Sequence, residues 1–125
     1  MLHSASPWAR LDAYFSDAEV DEVLVNGATA VYVERGGVLH PRGDGWSSDE
    51  IQRVVQHAVA PLGLSFDRAH PIVDARLPDG SRLHAVAPPV ALDGPYLSVR
   101  RFRTRVRTLE HFGVGAALAD RLRSV

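Results

Sequence analysis

The chain has 125 residues, 46% of them apolar and 23% charged, with a net charge of −1. That composition belongs to a globular domain with one ordinary core and excludes a disordered tail or a collagen-like repeat. With no cysteine, disulfides, zinc ribbons, thiol nucleophiles and iron–sulfur clusters are excluded. Every basic residue is arginine, and without lysine there is no P-loop, no Schiff-base chemistry and no kinase-type lysine.

Ser6-Pro7 opens the first element as N-cap and first helical residue, and Trp8, Leu11, Tyr14 and Phe15 recur at helical spacing. The acids Asp12, Asp17, Glu19, Asp21 and Glu22 read as a solvated helix end and loop. Val20–Val25 and Ala30–Glu34 are β-branched runs joined through Asn26-Gly27, and Val38–His40 returns as a third strand after Gly36-Gly37. Ser47-x-x-Glu50 is a capping box, and Ile51, Val54, Val55, Ala58 and Val59 form the apolar stripe of a helix that Pro61 and Gly63 end. This helix must lie on a sheet face.

Residues 72–103 are the most informative. Pro78-Asp79-Gly80 predicts a three-residue hairpin loop, a type I turn with Gly80 left-handed. That loop sets Leu77 opposite Ser81, Arg76 opposite Arg82, Ala75 opposite Leu83 and Asp74 opposite His84. Val73, Ala75, Leu77, Leu83, Ala85 and Ala87 then share the core face, and Asp74, Arg76, Arg82 and His84 share the polar one. After Pro88-Pro89, Tyr96–Phe102 is a further strand with Leu97 and Val99 inward and Ser98 and Arg100 outward. Thr108 caps a short helix over Leu109–Phe112, and a last helix begins at Ala116. The expectation is a single α+β domain, a mostly antiparallel sheet with flanking helices.

Charge is unevenly spread. Residues 1–62 hold four arginines against nine acids, and residues 63–125 hold ten against six. The asymmetry suggests an anionic partner for the second half. Setting Arg76 opposite Arg82 is unfavourable unless compensated, partly by Asp74 and better by a phosphate held bidentately; Arg100 can join that face. The alternative is an ordinary exposed charged face. Arg100, Arg101, Arg103, Arg105 and Arg107 also read as a nucleic-acid patch, with Phe102 as a stacking ring, yet the chain is slightly acidic and carries no recognition-helix, RRM or KH pattern. The six histidines have no ligand spacing, so no metal site is expected, and no catalytic constellation stands out. No apolar run approaches a membrane span of about 20 residues, and the N-terminus lacks a signal-peptide layout, so a cytoplasmic location is expected.

The segment VDARLPDGSRLHAVAPPVALDGPYLSVRRF (73–102) strongly resembles the N-terminal domain of CpaF-like hexameric traffic ATPases. These serve type II and type IV secretion and tight-adherence (Flp) pilus assembly. VDEVLVNGATAVYVERGG (20–37) is similar to the family's opening strands, and TLEHFGVGAALADRLRSV (108–125) to the helical run into its nucleotide-binding domain. The resemblance implies an N-terminal α+β domain over 1–107 and a helical linker over 108–125 toward a RecA-like ATPase domain that this chain lacks. It implies that ATP, with Mg, is bound mainly by that other domain, so that this chain alone does not hydrolyse ATP. Arg82 and Arg100 match the arginines that reach the terminal phosphates, with Arg101 and Arg76 as further candidates. Implied partners are the RecA-like domain, other subunits of a hexamer and an inner-membrane secretion or pilus-assembly protein, with the chain peripheral to the inner face of the membrane; nucleic acid is disfavoured. A nucleic-acid module or a regulatory module acting in trans are the alternatives.

Overall fold

Two three-stranded meanders joined edge to edge make the sheet. The computed structural model describes residues 8–103. In chain order these form α1 (Ala9–Phe15), β1 (Val20–Asn26), β2 (Ala30–Arg35), β3 (Val38–Pro41), α2 (Ser48–Val59), β4 (Ile72–Arg76), β5 (Arg82–Val86) and β6 (Tyr96–Arg100). The sheet runs β3-β2-β1-β6-β5-β4, and every neighbouring pair is antiparallel. The chain is therefore an α+β domain, as its pattern implies. The Ser6-Pro7 helix start, Arg105, Arg107 and the helices and linker expected over 108–125 lie outside the described residues.

Period-2 alternation sends one side of each strand into the core. Val23, Val25, Val31, Val33, Leu83, Ala85, Leu97 and Val99 are buried on one face, where Leu11 of α1 and Ile51, Val54, Val55 and Val59 of α2 cover them with Trp46 and Phe66. Each fully buried aliphatic side chain contributes about 1.5–3 kcal/mol against exposure, so this layer carries most of the stabilisation. Strict alternation would put Val20 on the opposite side from Val23. A β-bulge between Val20 and Glu22 corrects it: both valines point inward and Glu22 points out.

The hairpin of β4 and β5 has the register its turn chemistry dictates, with Arg76 opposite Arg82 and Asp74 opposite His84. Gly80 sits at φ +90°, Asp79 accepts the Ser81 N–H at 2.8 Å, and Leu77 N–H donates to Ser81 O at 2.8 Å. Only glycine takes that backbone cheaply, and Phe102 lies so close over the turn that a Cβ on Gly80 would sit 2.9 Å from its ring. Phe102 thus lies over the hairpin turn while its ring stays more than half exposed.

At the start of α2, Ser47 Oγ accepts the Glu50 N–H at 3.1 Å, the first half of a capping box. The Glu50 carboxylate instead takes Arg10 Nη1 of α1 at 2.7 Å, tying the helices together. Beyond the 3-10 turn Ala60–Leu62 and the left-handed Gly63, Gln56 Oε1 accepts the Phe66 N–H at 2.9 Å and the Gln52 amide donates to Phe66 O. Two glutamines one helical turn apart thereby hold the backbone of a fully buried phenylalanine.

Candidate functional site

The outer face of the sheet carries a charged row at one level. Register places Glu34 of β2 beside Glu22 of β1, Glu22 beside Arg100 of β6, Arg100 beside Arg82 of β5, and Arg82 beside Arg76 of β4. Five adjacent strands thus present two acids and then three arginines. Neighbouring strands lie about 4.8 Å apart, so the three arginine positions span roughly 10 Å, within reach of one multi-oxygen anion. The next row, Leu24, Ser98, His84 and Asp74, flanks it; Ser98 points outward as its parity requires but is covered to 8% exposure.

Charge within the row is not balanced position by position. Arg100 Nη1 donates to Glu22 Oε1 at 2.8 Å and to Glu34 Oε1 at 2.9 Å, while its own side chain stays 53% exposed. Burial raises the Glu22 carboxyl above the ordinary range, Arg100 pulls it back down, and Glu34 pushes it up again. The hydrogen bond to Glu34 is the largest cause raising Arg100 above its usual value, against burial, which lowers it. Arg82 reaches Asp74 only loosely, 3.5 Å between Nη2 and Oδ1 with both side chains more than half exposed. Arg76 is exposed and has no ion-pair partner among the described residues. The like-charge contacts of Arg76, Arg82 and Arg100 are thus only partly relieved, which is the electrostatic condition for binding an anion.

Of the four arginines picked from the sequence, Arg76, Arg82 and Arg100 come together and Arg101 does not. Arg101 points to the helix side, where its Nη2 donates to Phe15 O at 2.6 Å and Asp17 O at 3.2 Å and its guanidinium stacks 4.9 Å over the Phe15 ring. Burial, then the charge of Arg103, lower its pKa. It closes the end of α1, where free carbonyls favour a cation. Arg103 bonds to Asp21 and the Ala18 carbonyl at the same corner. The described part of the 100–107 arginine run is therefore divided between two faces of the domain and is no continuous nucleic-acid patch.

The acids preceding and within β1 differ from their sequence reading as a solvated loop. Glu22 and Asp21 lie in the strand and pair with Arg100 and Arg103, and Asp17 pairs with Arg35 at 3.1 Å. The opposite charges of the two chain halves meet along the β1–β6 seam, so part of the asymmetry is internal complementarity. Glu22 and Glu34 are the site residues that sequence reasoning passed over. Each is an outward charge in a β-rich run, but nothing in the linear pattern sets β1 beside β6.

Among the described residues no group of three or more His, Asp or Glu side chains is placed to hold a metal ion, and no helix is long and apolar enough to cross a membrane.

No protein-family model matches the chain. It is 32% identical over 116 residues to a putative conjugal transfer protein of Mycobacterium tuberculosis, covering 86% of this chain and 33% of that protein. It is 29% identical over 94 residues to an uncharacterized protein of Methanocaldococcus jannaschii, covering 74% of this chain and 13% of the relative. The chain thus spans a third or less of the curated relatives it matches. Among solved structures, the VirB11 ATPase of the Brucella suis type IV secretion system, in complex with sulphate, superposes with a TM-score of 0.75 at 22% identity, over 89% of this chain and 34% of that one. The Legionella pneumophila ATPase DotB superposes with a TM-score of 0.55 at 15% identity, over 84% of this chain and 32% of that one. The family read from the sequence and the fold agree: the chain has the fold of an N-terminal domain of type IV secretion ATPases.

Proposed function

We propose that the chain works as the N-terminal domain of a secretion or Flp pilus-assembly ATPase and that Arg82 and Arg100, with Arg76 beside them, contact the phosphates of a bound nucleotide. The observation that carries this reading is the row of three arginines on adjacent strands, whose mutual repulsion Asp74, Glu22 and Glu34 relieve only in part. Guanidinium groups at that spacing suit a polyphosphate tail, and arginine placed where charge develops during phosphoryl transfer stabilises the transition state. Arg101, tied to the end of α1, acts on the fold and not on the nucleotide.

ATP would be held jointly. These arginines would touch its outer phosphates, while Mg and the rest of the nucleotide belong to a RecA-like domain. The outer sheet face is then a seam between domains of one hexameric assembly, and movement across it would be passed to an inner-membrane assembly protein from the cytoplasmic side. These residues taken alone, with the outer sheet face in water, would hold a phosphate chain only weakly.

Titration of the chain with inorganic tripolyphosphate, followed by backbone amide NMR, tests this. Saturable shifts confined to Arg76, Arg82, Arg100 and their strand neighbours, lost in Arg82→Ala, are expected. Shifts absent, or unchanged in Arg82→Ala, overturn the assignment.

A further inference from the structure

The cation at the centre of the row already has an anionic partner inside the domain. Glu22 and Glu34 stand directly across from one another on β1 and β2, an arrangement that is repulsive without a shared counter-ion. Both are mostly covered, 22% and 21% exposed, and both accept from the same nitrogen, Nη1 of Arg100. Two carboxylates thus hold one guanidinium from a single edge. Its Nε and Nη2 have no side-chain partner among the described residues.

We propose that Glu22 and Glu34 form a built-in competitor for Arg100, an internal anion that occupies the cation until a phosphate chain draws it away. The inference rests on the reading of the arginine row as a phosphate site and adds a control to it. Two consequences follow from charge alone. The carboxylates repel an arriving polyphosphate, and they lose their common counter-ion when Arg100 turns to it. Phosphate binding and the Glu22–Arg100–Glu34 contact therefore oppose each other. The arrangement weakens the grip of the resting site and gives Arg100 a defined place to return to on release. Arg82, held only loosely by Asp74, has no comparable restraint and makes the first contact.

The test uses the whole chain with inorganic tripolyphosphate as probe, in the wild type, Glu22→Gln, Glu34→Gln, the double variant and Arg82→Ala. Glutamine keeps shape and hydrogen bonding while removing charge. Competition predicts tighter binding, about threefold for each single variant and about tenfold for the double, on the scale of partly exposed ion pairs. Relief of repulsion alone would also tighten binding, so the deciding readout is the Arg100 side chain: its guanidinium NMR signals should move away from their Glu-paired positions as tripolyphosphate saturates the wild type, and signals that stay in place overturn the competitor even where the variants bind more tightly. If the variants bind equally or more weakly while Arg82→Ala still loses binding, the competitor is overturned and the phosphate site stands. If no form, the double variant included, binds tripolyphosphate, the phosphate reading itself is overturned. Thermal melting confirms that each variant is folded; should the double variant melt early, the two single variants carry the comparison.

Discussion

Replacing Arg100 with alanine isolates the electrostatics of the sheet face from any question of ligand. The substitution removes two hydrogen-bonded ion pairs, at 2.8 and 2.9 Å, and uncovers the cross-strand repulsion of Glu22 and Glu34. Pairs of this exposure are worth about 0.2–1 kcal/mol each, and the uncovered like-charge contact costs a similar amount. Because Arg100 is 53% exposed and solvent-screened, the lower half of that range applies to each pair, and with the like-charge contact the total comes to about 1 kcal/mol at pH 7. The sign with pH follows from Glu22, whose folded pKa is raised, chiefly by burial. Its stabilising contribution is complete below the usual glutamate value of about 4.3 and is lost as pH rises through the folded value. Without Arg100 the folded value climbs further, so the loss deepens toward neutral pH. Urea unfolding reports this through the fluorescence of Trp46, 1% exposed in the native core. With a slope of about 1–1.5 kcal/mol per molar urea, the midpoint should fall by about 1 M at pH 7 and by far less at pH 4. An unchanged midpoint at pH 7, or an equal shift at both pH values, refutes the reasoning.

Arg101→Ala should destabilise the domain by about 1–2 kcal/mol through loss of its bonds to the Phe15 and Asp17 carbonyls and its stacking on Phe15, while tripolyphosphate affinity stays within about twofold of wild type; a large loss of binding with normal stability would return Arg101 to the phosphate site. Gln56→Ala leaves the buried Phe66 N–H without its acceptor, and equilibrium unfolding should show a cost of about 1–3 kcal/mol, with faster amide exchange at Phe66; exchange as slow as wild type would show that another acceptor takes over.

Several elements are legible in the sequence because their causes are local. Pro78-Asp79-Gly80 sets a loop of one length, a loop of that length sets one register, and alternation then assigns Arg76 and Arg82 to the outer face. Ser47 and the apolar stripe that follows it marked α2 for the same reason: a cap and a 3.6-residue period act within a few turns of chain. Other features depend on which distant segments meet. Parity alone leaves Val20 on the wrong side, and only pairing against Arg35 and Glu34 of β2 reveals the bulge that turns Val20 in and Glu22 out. The antiparallel union of β1 with β6 joins residues seventy or more positions apart, and it brings Glu22 and Glu34 against Arg100. Arg100 and Arg101 are adjacent in sequence and point to opposite faces, one to the arginine row and the other to the end of α1. The arginines, their faces and the hairpin register follow from turn chemistry and the two-residue period of a strand. The acidic partners, and the parting of Arg101 from the row, were decided by strand order, which reflects the burial of the whole core and has no signature in any short stretch of sequence.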